Sequence, residues 1–239
     1  MKLFSLDSPL MQALNKVADL LWLNVLTLLC CLPVVTIGAS LTAMNYMALK
    51  MARNEECYIT RGFFKSFREN FKQATIIWLI FLVVIVVLAA DFIIMGSGTE
   101  SGLAKVLWGV IMAVAFLVAA TFLYVFPVLA KFDNTVFRTV KNALMMSLMQ
   151  FPKTIIMLVA YVAPSVLFFL LPQAMPLCIM FGLSAPAWIS AKLYNKLFKR
   201  LEERVLAANP PAESEGGPED DERIFKDELD PALADKDIT

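Results

Sequence analysis

The chain has 239 residues, of which 59% are hydrophobic and only 18% charged; soluble domains carry about a quarter charged residues, and several apolar runs longer than one core needs exclude that class. Formal charge is zero, but it divides into 18 basic and 10 acidic residues up to position 208 and 3 basic against 11 acidic residues after it. This composition predicts an all-α, polytopic helical membrane protein with a basic body and an acidic tail, embedded in a lipid bilayer and with no nucleic-acid partner.

At the start, Met1 to Lys16 contains Asp7 and Pro9 and lacks a compact apolar core before a small-residue cleavage site, so no signal peptide is expected. Leu10, Leu14 and Val17 recur at helical spacing behind Ser8-Pro9, a cap followed by proline, and predict a helix entering the membrane over about 9–32. Between Asp19 and Lys50 lie 30 residues without a formal charge, generous for one span and tight for two. Pro33, which lacks an N–H, and Gly38 break the run. The following piece, 36–50, is studded with Thr36, Ser40, Thr42 and Asn45, while Gly38, Ala39, Thr42 and Ala43 give a small-residue face suited to close packing. It reads as a re-entrant or interfacial helix, with a short second span as the alternative.

From Lys50 to Lys72 the chain is basic and amphipathic: Lys50, Arg53, Arg61, Lys65, Arg68 and Lys72 interleave with Phe63, Phe64, Phe67 and Phe71. Phe64, Phe67 and Phe71 are three and four apart, which places them on one face of a helix that lies in a headgroup layer or docks on a partner. Residues 74–95 form the clearest span, with Asp91 as the one charge; an intramembrane carboxylate is a functional candidate, although its nearness to Gly96 predicts a hydrated interfacial position. GSGTESG, 96–102, is a tight turn, and 106–130 is a further span. Residues 131–153 repeat the basic amphipathic theme with Phe132, Phe137 and Phe151, which suggests a loose internal repeat of 58–95 in 132–171. LPQAMP then divides 154–191 into spans at about 154–171 and 174–191. The total is about five spans, six being possible, with two amphipathic cytoplasmic helices in a transmembrane domain 1–206.

Orientation follows from the basic loops. Those at 50–73 and 131–153, and the stretch holding Lys192, Lys196, Lys199, Arg200 and Arg204, are expected in the cytoplasm of a cell-membrane protein, with the C-terminus inside. Five spans then put the N-terminus outside, and six put both ends inside. Residues 207–239 are rich in Pro, Gly and acid and predict a disordered acidic tail; Ile224, Phe225, Leu229 and Leu233 form a short patch in it suited to folding on a partner.

There is no histidine in the chain, and Cys30, Cys31, Cys57 and Cys178 show neither paired nor metal-site spacing. With no nucleotide loop, no catalytic group, no metal site and no cofactor are expected.

LWLNVLTLLCCLPVVTIGASLTAMNYMALKMARNEE, followed by GFFKSFRENFKQATIIWLI, resembles the YesL family of bacterial integral membrane proteins, a family without an assigned reaction. Leu23-Asn24, Leu32-Pro33, Thr36-Ile37-Gly38, Thr42-Ala43 and the run from Phe67 to Gln73 carry the resemblance, which covers about 1–205. It implies the company of carbohydrate-uptake ABC systems and glycan-degrading enzymes in Gram-positive bacteria. The expected function is an accessory or regulatory membrane protein acting with a carbohydrate ABC import system and bound to its permease. Asn24, Pro33, Thr36, Gly38, Thr42, Phe63, Phe64, Phe67 and Phe71 are the candidate motif and partner-binding residues. The alternative is a secondary transporter or channel, with Asp91, Asn24, Asn45 and Ser165 beside helices broken at Pro164 and Pro186.

Overall fold

The computed structural model describes residues 9–55, 58–96, 102–132, 134–171, 173 and 175–208. The acidic tail beyond Ala208, most of the GSGTESG turn and Cys57 lie outside the described residues. The fold is all-α, with eight helices among the described residues: α1 (Pro9–Cys31), α2 (Ile37–Arg53), α3 (Ile59–Gly96), α4 (Gly102–Lys131), α5 (Val136–Met149), α6 (Phe151–Leu170), α7 (Met175–Phe181) and α8 (Ser184–Ala208). Four stretches are long and apolar enough to cross a membrane, Met11–Cys31, Ile59–Ile94, Lys105–Lys131 and Phe151–Leu170, and α7 with α8 gives a fifth if that pair, bent by 48°, counts as one span. Outward-facing residues of α3, α4 and α6 such as Val83, Ile93, Val106, Val159 and Phe169 are exposed and apolar, as a lipid-facing surface must be.

The bundle is organised around α2. Small side chains at Gly38, Ala39, Ser40, Thr42 and Ala43, all buried, let neighbouring backbones approach on several sides, which is how helices gain contact where lipid removes the hydrophobic drive. A Cβ on Gly38 would overlap the Ala74 carbonyl and lie 2.7 Å from Trp78 Cβ of α3. Farther along, Met47 reaches Gly62, so α2 runs antiparallel to the first half of α3. Most polar groups that make α2 look interfacial are satisfied locally, Asn45 Oδ1 being buried without a partner. Thr42 Oγ1 donates to Gly38 O (2.9 Å), Asn45 Nδ2 donates to Leu41 O (2.8 Å) and Ser40 Oγ donates to Thr27 O of α1 (2.9 Å).

α1 and α2 form a hairpin. Pro33 stops α1, and a 3-10 turn, Val34–Thr36, reverses the chain; the Thr36 hydroxyl lies 2.6 Å from Cys30 O and 2.8 Å from Pro33 O. At the open end Lys16 Nζ donates to Asn54 Oδ1 at 2.7 Å. Asn54 closes α2 in the left-handed region (φ 58°), which Asn tolerates better than most residues.

Two features depart from the expected boundaries. The basic amphipathic stretch and the first clear span are one unbroken helix, α3, of 38 residues, about 57 Å long. In the loosely repeated stretch the chain is instead interrupted at Gln150, between α5 and α6. LPQAMP ends α6 as expected, but a second break at Gly182-Leu183 divides the last apolar stretch into α7 and α8.

Candidate functional site

α3 presents two faces over its first half. Ile59, Phe63, Ser66, Asn70, Ala74 and Ile77 are buried, and their three- and four-residue spacing makes one inner seam against α2. Asn70 Nδ2 sits 3.0 Å from Ser66 O and 3.2 Å from Ser66 Oγ, so the polar members of the seam satisfy each other. Arg61, Phe64, Lys65, Arg68, Phe71 and Lys72 are all exposed, and at 100° per residue they fall within one arc of about 120°. On this arc the two Phe rings line one edge and the four cations form a stripe beside them.

The four phenylalanines form one chain of ring contacts, Phe64 to Phe63 at 5.7 Å and Phe67 to Phe71 at 5.6 Å, but they differ in burial. Phe63 is fully buried, with its ring 6.2 Å from Phe67 in a stacked pair, and Phe67 packs partly against the core. Phe64 and Phe71 remain 40% and 36% exposed. Spacing alone groups Phe64, Phe67 and Phe71; the structure turns Phe67 inward and leaves the other two outside.

Asn24, in the second half of α1, is 1% exposed and holds the α7–α8 break. Its Nδ2 donates to Ile179 O at 2.7 Å, while its Oδ1 accepts from Leu183 N (3.1 Å) and Ser184 N (3.0 Å). One amide thus meets the carbonyl left open by α7 and the N–H groups left open at the start of α8, groups that a helix end cannot pair by itself. The sequence marks Asn24 as a motif residue, but its role as a cap for another helix emerges only from the fold.

A second polar joint has no signature in the sequence. Arg53, at the end of α2, forms a bidentate pair with Glu202 of α8 (NH2 to Oε1 2.7 Å, NH1 to Oε2 3.2 Å), and its Nε donates to Asn195 Oδ1 at 2.8 Å. Lys131, closing α4, adds a contact of 3.8 Å to Glu202 Oε1. The Arg53 and Glu202 side chains are 9% and 16% exposed, so water screens the pair little. The partners stand 149 residues apart in sequence, where no local spacing rule operates. This joint and the Lys16–Asn54 bond bring the start of α1, the end of α2, the end of α4 and the latter part of α8 to one end of the bundle.

The other candidates spread out. Pro33 and Thr36 shape the α1–α2 turn, Gly38 and Thr42 lie in the α2 interior, and Asp91 sits half-buried near the far end of α3. Between α1 and the start of α3 an open groove of about 810 Å3 is lined by Ala18, Asp19, Trp22, Tyr58, Ile59, Thr60 and Arg61, with Trp22 Nε1 donating to Thr60 Oγ1 at 2.9 Å. Deep in the bundle Ser184 Oγ and Tyr194 OH on α8 are buried without a hydrogen-bond partner among the described residues. Among the described residues no three His, Cys, Asp or Glu side chains gather as metal ligands. What the arrangement offers chemically is recognition, through a rigid basic and aromatic face, together with two polar joints that fix helix positions.

No curated protein and no solved structure matches the chain. Residues 20–92, the segment from α1 through α2 to near the end of α3 that carries the inner seam, the outer face and Asn24, match a protein family described as "Protein of unknown function, DUF624".

Proposed function

We propose that this protein is a non-catalytic accessory or regulatory membrane protein that docks on another membrane protein through the outer face of α3. The partner class is the permease of a carbohydrate ABC importer, the company implied by the resemblance to the YesL family. One observation carries the docking reading. Phe64 and Phe71 stay exposed beside Arg61, Lys65, Arg68 and Lys72 on a helix whose opposite face is locked into the core. Large aromatic anchors with a cationic rim on a pre-ordered element are what a partner surface uses to gain affinity at little ordering cost.

A second reading, a secondary transporter or channel for a small solute, is favoured by the broken α7–α8 pair and the unpartnered Ser184 and Tyr194 hydroxyls of α8, because discontinuous helices in membranes often mark solute sites. The test separates the two. Tagged protein is purified from its native membrane in mild detergent and its companions identified by mass spectrometry, and the isolated chain is assayed for flux in liposomes. Recovery of permease and ATPase subunits with no flux supports the accessory role; flux by the isolated chain with no partner recovered overturns it.

A further inference from the structure

The outer face of α3 has a complementary sequence within the same chain. Residues 209–239 hold 11 acidic and 3 basic residues, and the acids flank an apolar group. Glu219, Asp220, Asp221 and Glu222 precede Ile224 and Phe225, which Arg223 and Lys226 directly flank, and Asp227, Glu228 and Asp230 surround Leu229, so seven acids stand against two cations over 219–230. The α3 face carries the opposite charge beside its own apolar group: Arg61, Lys65, Arg68 and Lys72 next to the exposed Phe64 and Phe71 rings. The geometry points to an intramolecular contact in which the segment around Ile224–Leu229 covers the outer face of α3 and competes there with any other occupant.

Reach permits it. Glu202 of α8 is bonded to Arg53 at the end of α2, and α3 begins at Ile59 only a short connection later, so the end of α8 and the start of the basic face share one end of the bundle. Residues 209–223 lie between α8 and the segment around Ile224–Leu229, and a linker of that length spans roughly 21 Å. A tethered segment binds its site at a high effective concentration, so modest contacts suffice to occupy it. Charge complementarity supplies the specificity: acids stand on both sides of Phe225 in the tail, and cations stand along the whole length of the Phe64–Phe71 edge on α3. The competing occupant is an anionic lipid surface, which the same basic and aromatic face also suits. The tail is favoured because it is always present on the same molecule and carries apolar side chains among its acids.

This contact rests on reading the outer α3 face as a docking surface, and its test stands apart from the search for a permease. The full chain, with p-benzoyl-phenylalanine replacing Phe71, is illuminated in nanodiscs of zwitterionic lipid and in nanodiscs containing anionic lipid, and the cross-linked peptides are identified. The expected product joins position 71 to the 209–239 segment within one chain. Its yield falls about tenfold in Lys65→Glu/Arg68→Glu, the scale of two weak surface ion pairs reversed, and recovers when Asp227→Lys/Glu228→Lys is added. Cross-links to lipid alone, to a second copy of the chain, or to the tail with no response to charge reversal overturn the proposal. If the tail cross-link forms but no permease is ever recovered, the docking partner falls and the internal contact stands. Permease recovered without the cross-link overturns the internal contact and leaves the docking partner standing.

Discussion

Asn24 shows how much one side chain can hold. Replacing it by Ala removes both halves of its amide and leaves Ile179 O, Leu183 N and Ser184 N unpaired in a buried place; each stranded group costs about 1–3 kcal/mol. Asn24→Ala is expected to lower the melting midpoint in detergent by several degrees, while an Ala substitution at the exposed Asn15 leaves it unchanged; equal midpoints for the two variants would remove the capping role. Arg53 and Glu202 make a sharper case, because removing either partner leaves a little-hydrated charge with only a weaker contact, Lys131 for Glu202 or Asn195 and Glu55 for Arg53. Arg53→Ala and Glu202→Ala singly are each expected to cost about 2–3 kcal/mol, below the cost of a fully stranded charge, and the double variant is expected to be less destabilised than the sum. A double-mutant cycle measured by denaturation checks this, and additive losses would show that the pair does not act as a unit. Asp91→Asn is expected to be silent in membrane level and in any uptake phenotype, since the residue is half-buried at the far end of α3; lost uptake at normal expression would favour the transporter reading.

Helices are legible in the sequence where periodicity is long and breakers are strong. Pro33, the uncharged runs at 74–95 and 106–130, and LPQAMP each announce a helix or an end, because missing N–H donors and bilayer length act locally. α2 is harder. Its Thr, Ser and Asn side chains resemble an interfacial pattern, yet they bond to helix carbonyls and to Thr27 O, which lets the helix be buried on most of its circumference. The continuity of α3 is hidden for the opposite reason, since composition changes abruptly at Ala74 while the backbone does not. Gly38 tests the α2–α3 contact. Gly38→Leu would drive a side chain into Ala74 and Trp78, and the expected outcome is loss of the folded species in size-exclusion chromatography, with Gly38→Ala intermediate; an unperturbed Gly38→Leu chain would show that the two helices are not so closely packed.

As one bundle, the fold joins Arg53, Glu202 and Lys131 at one end and presents apolar side chains along α3, α4 and α6. Lys16, Asn54, Arg53, Lys131 and Glu202 interact there, so the start of α1 lies beside the latter part of α8. This puts the start of α1 and the latter part of α8 on one side, and a cysteine placed at Asn15 is expected to react with a membrane-impermeant reagent only from the side that also labels a cysteine at Lys199. Labelling from opposite sides would restore the five-span arrangement with the N-terminus outside. The distribution of the α3 cations is visible in sequence, but the split of its four phenylalanines into a structural and an exposed pair is not, because only packing against α2 decides which ring turns inward. That split lets the outer rings be tested against the fold, since Phe64 and Phe71 touch the inner rings only along one edge of the cluster while Phe63 is fully buried. The decisive measurement is co-purification of permease subunits with a Phe64→Ala/Phe71→Ala chain, with its melting midpoint taken in the same preparation and Phe63→Ala as the core comparison. The expected result is a double variant that melts as wild type does but recovers no permease. Retention of the permease by the folded double variant, or a loss of stability matching that of Phe63→Ala, would contradict it.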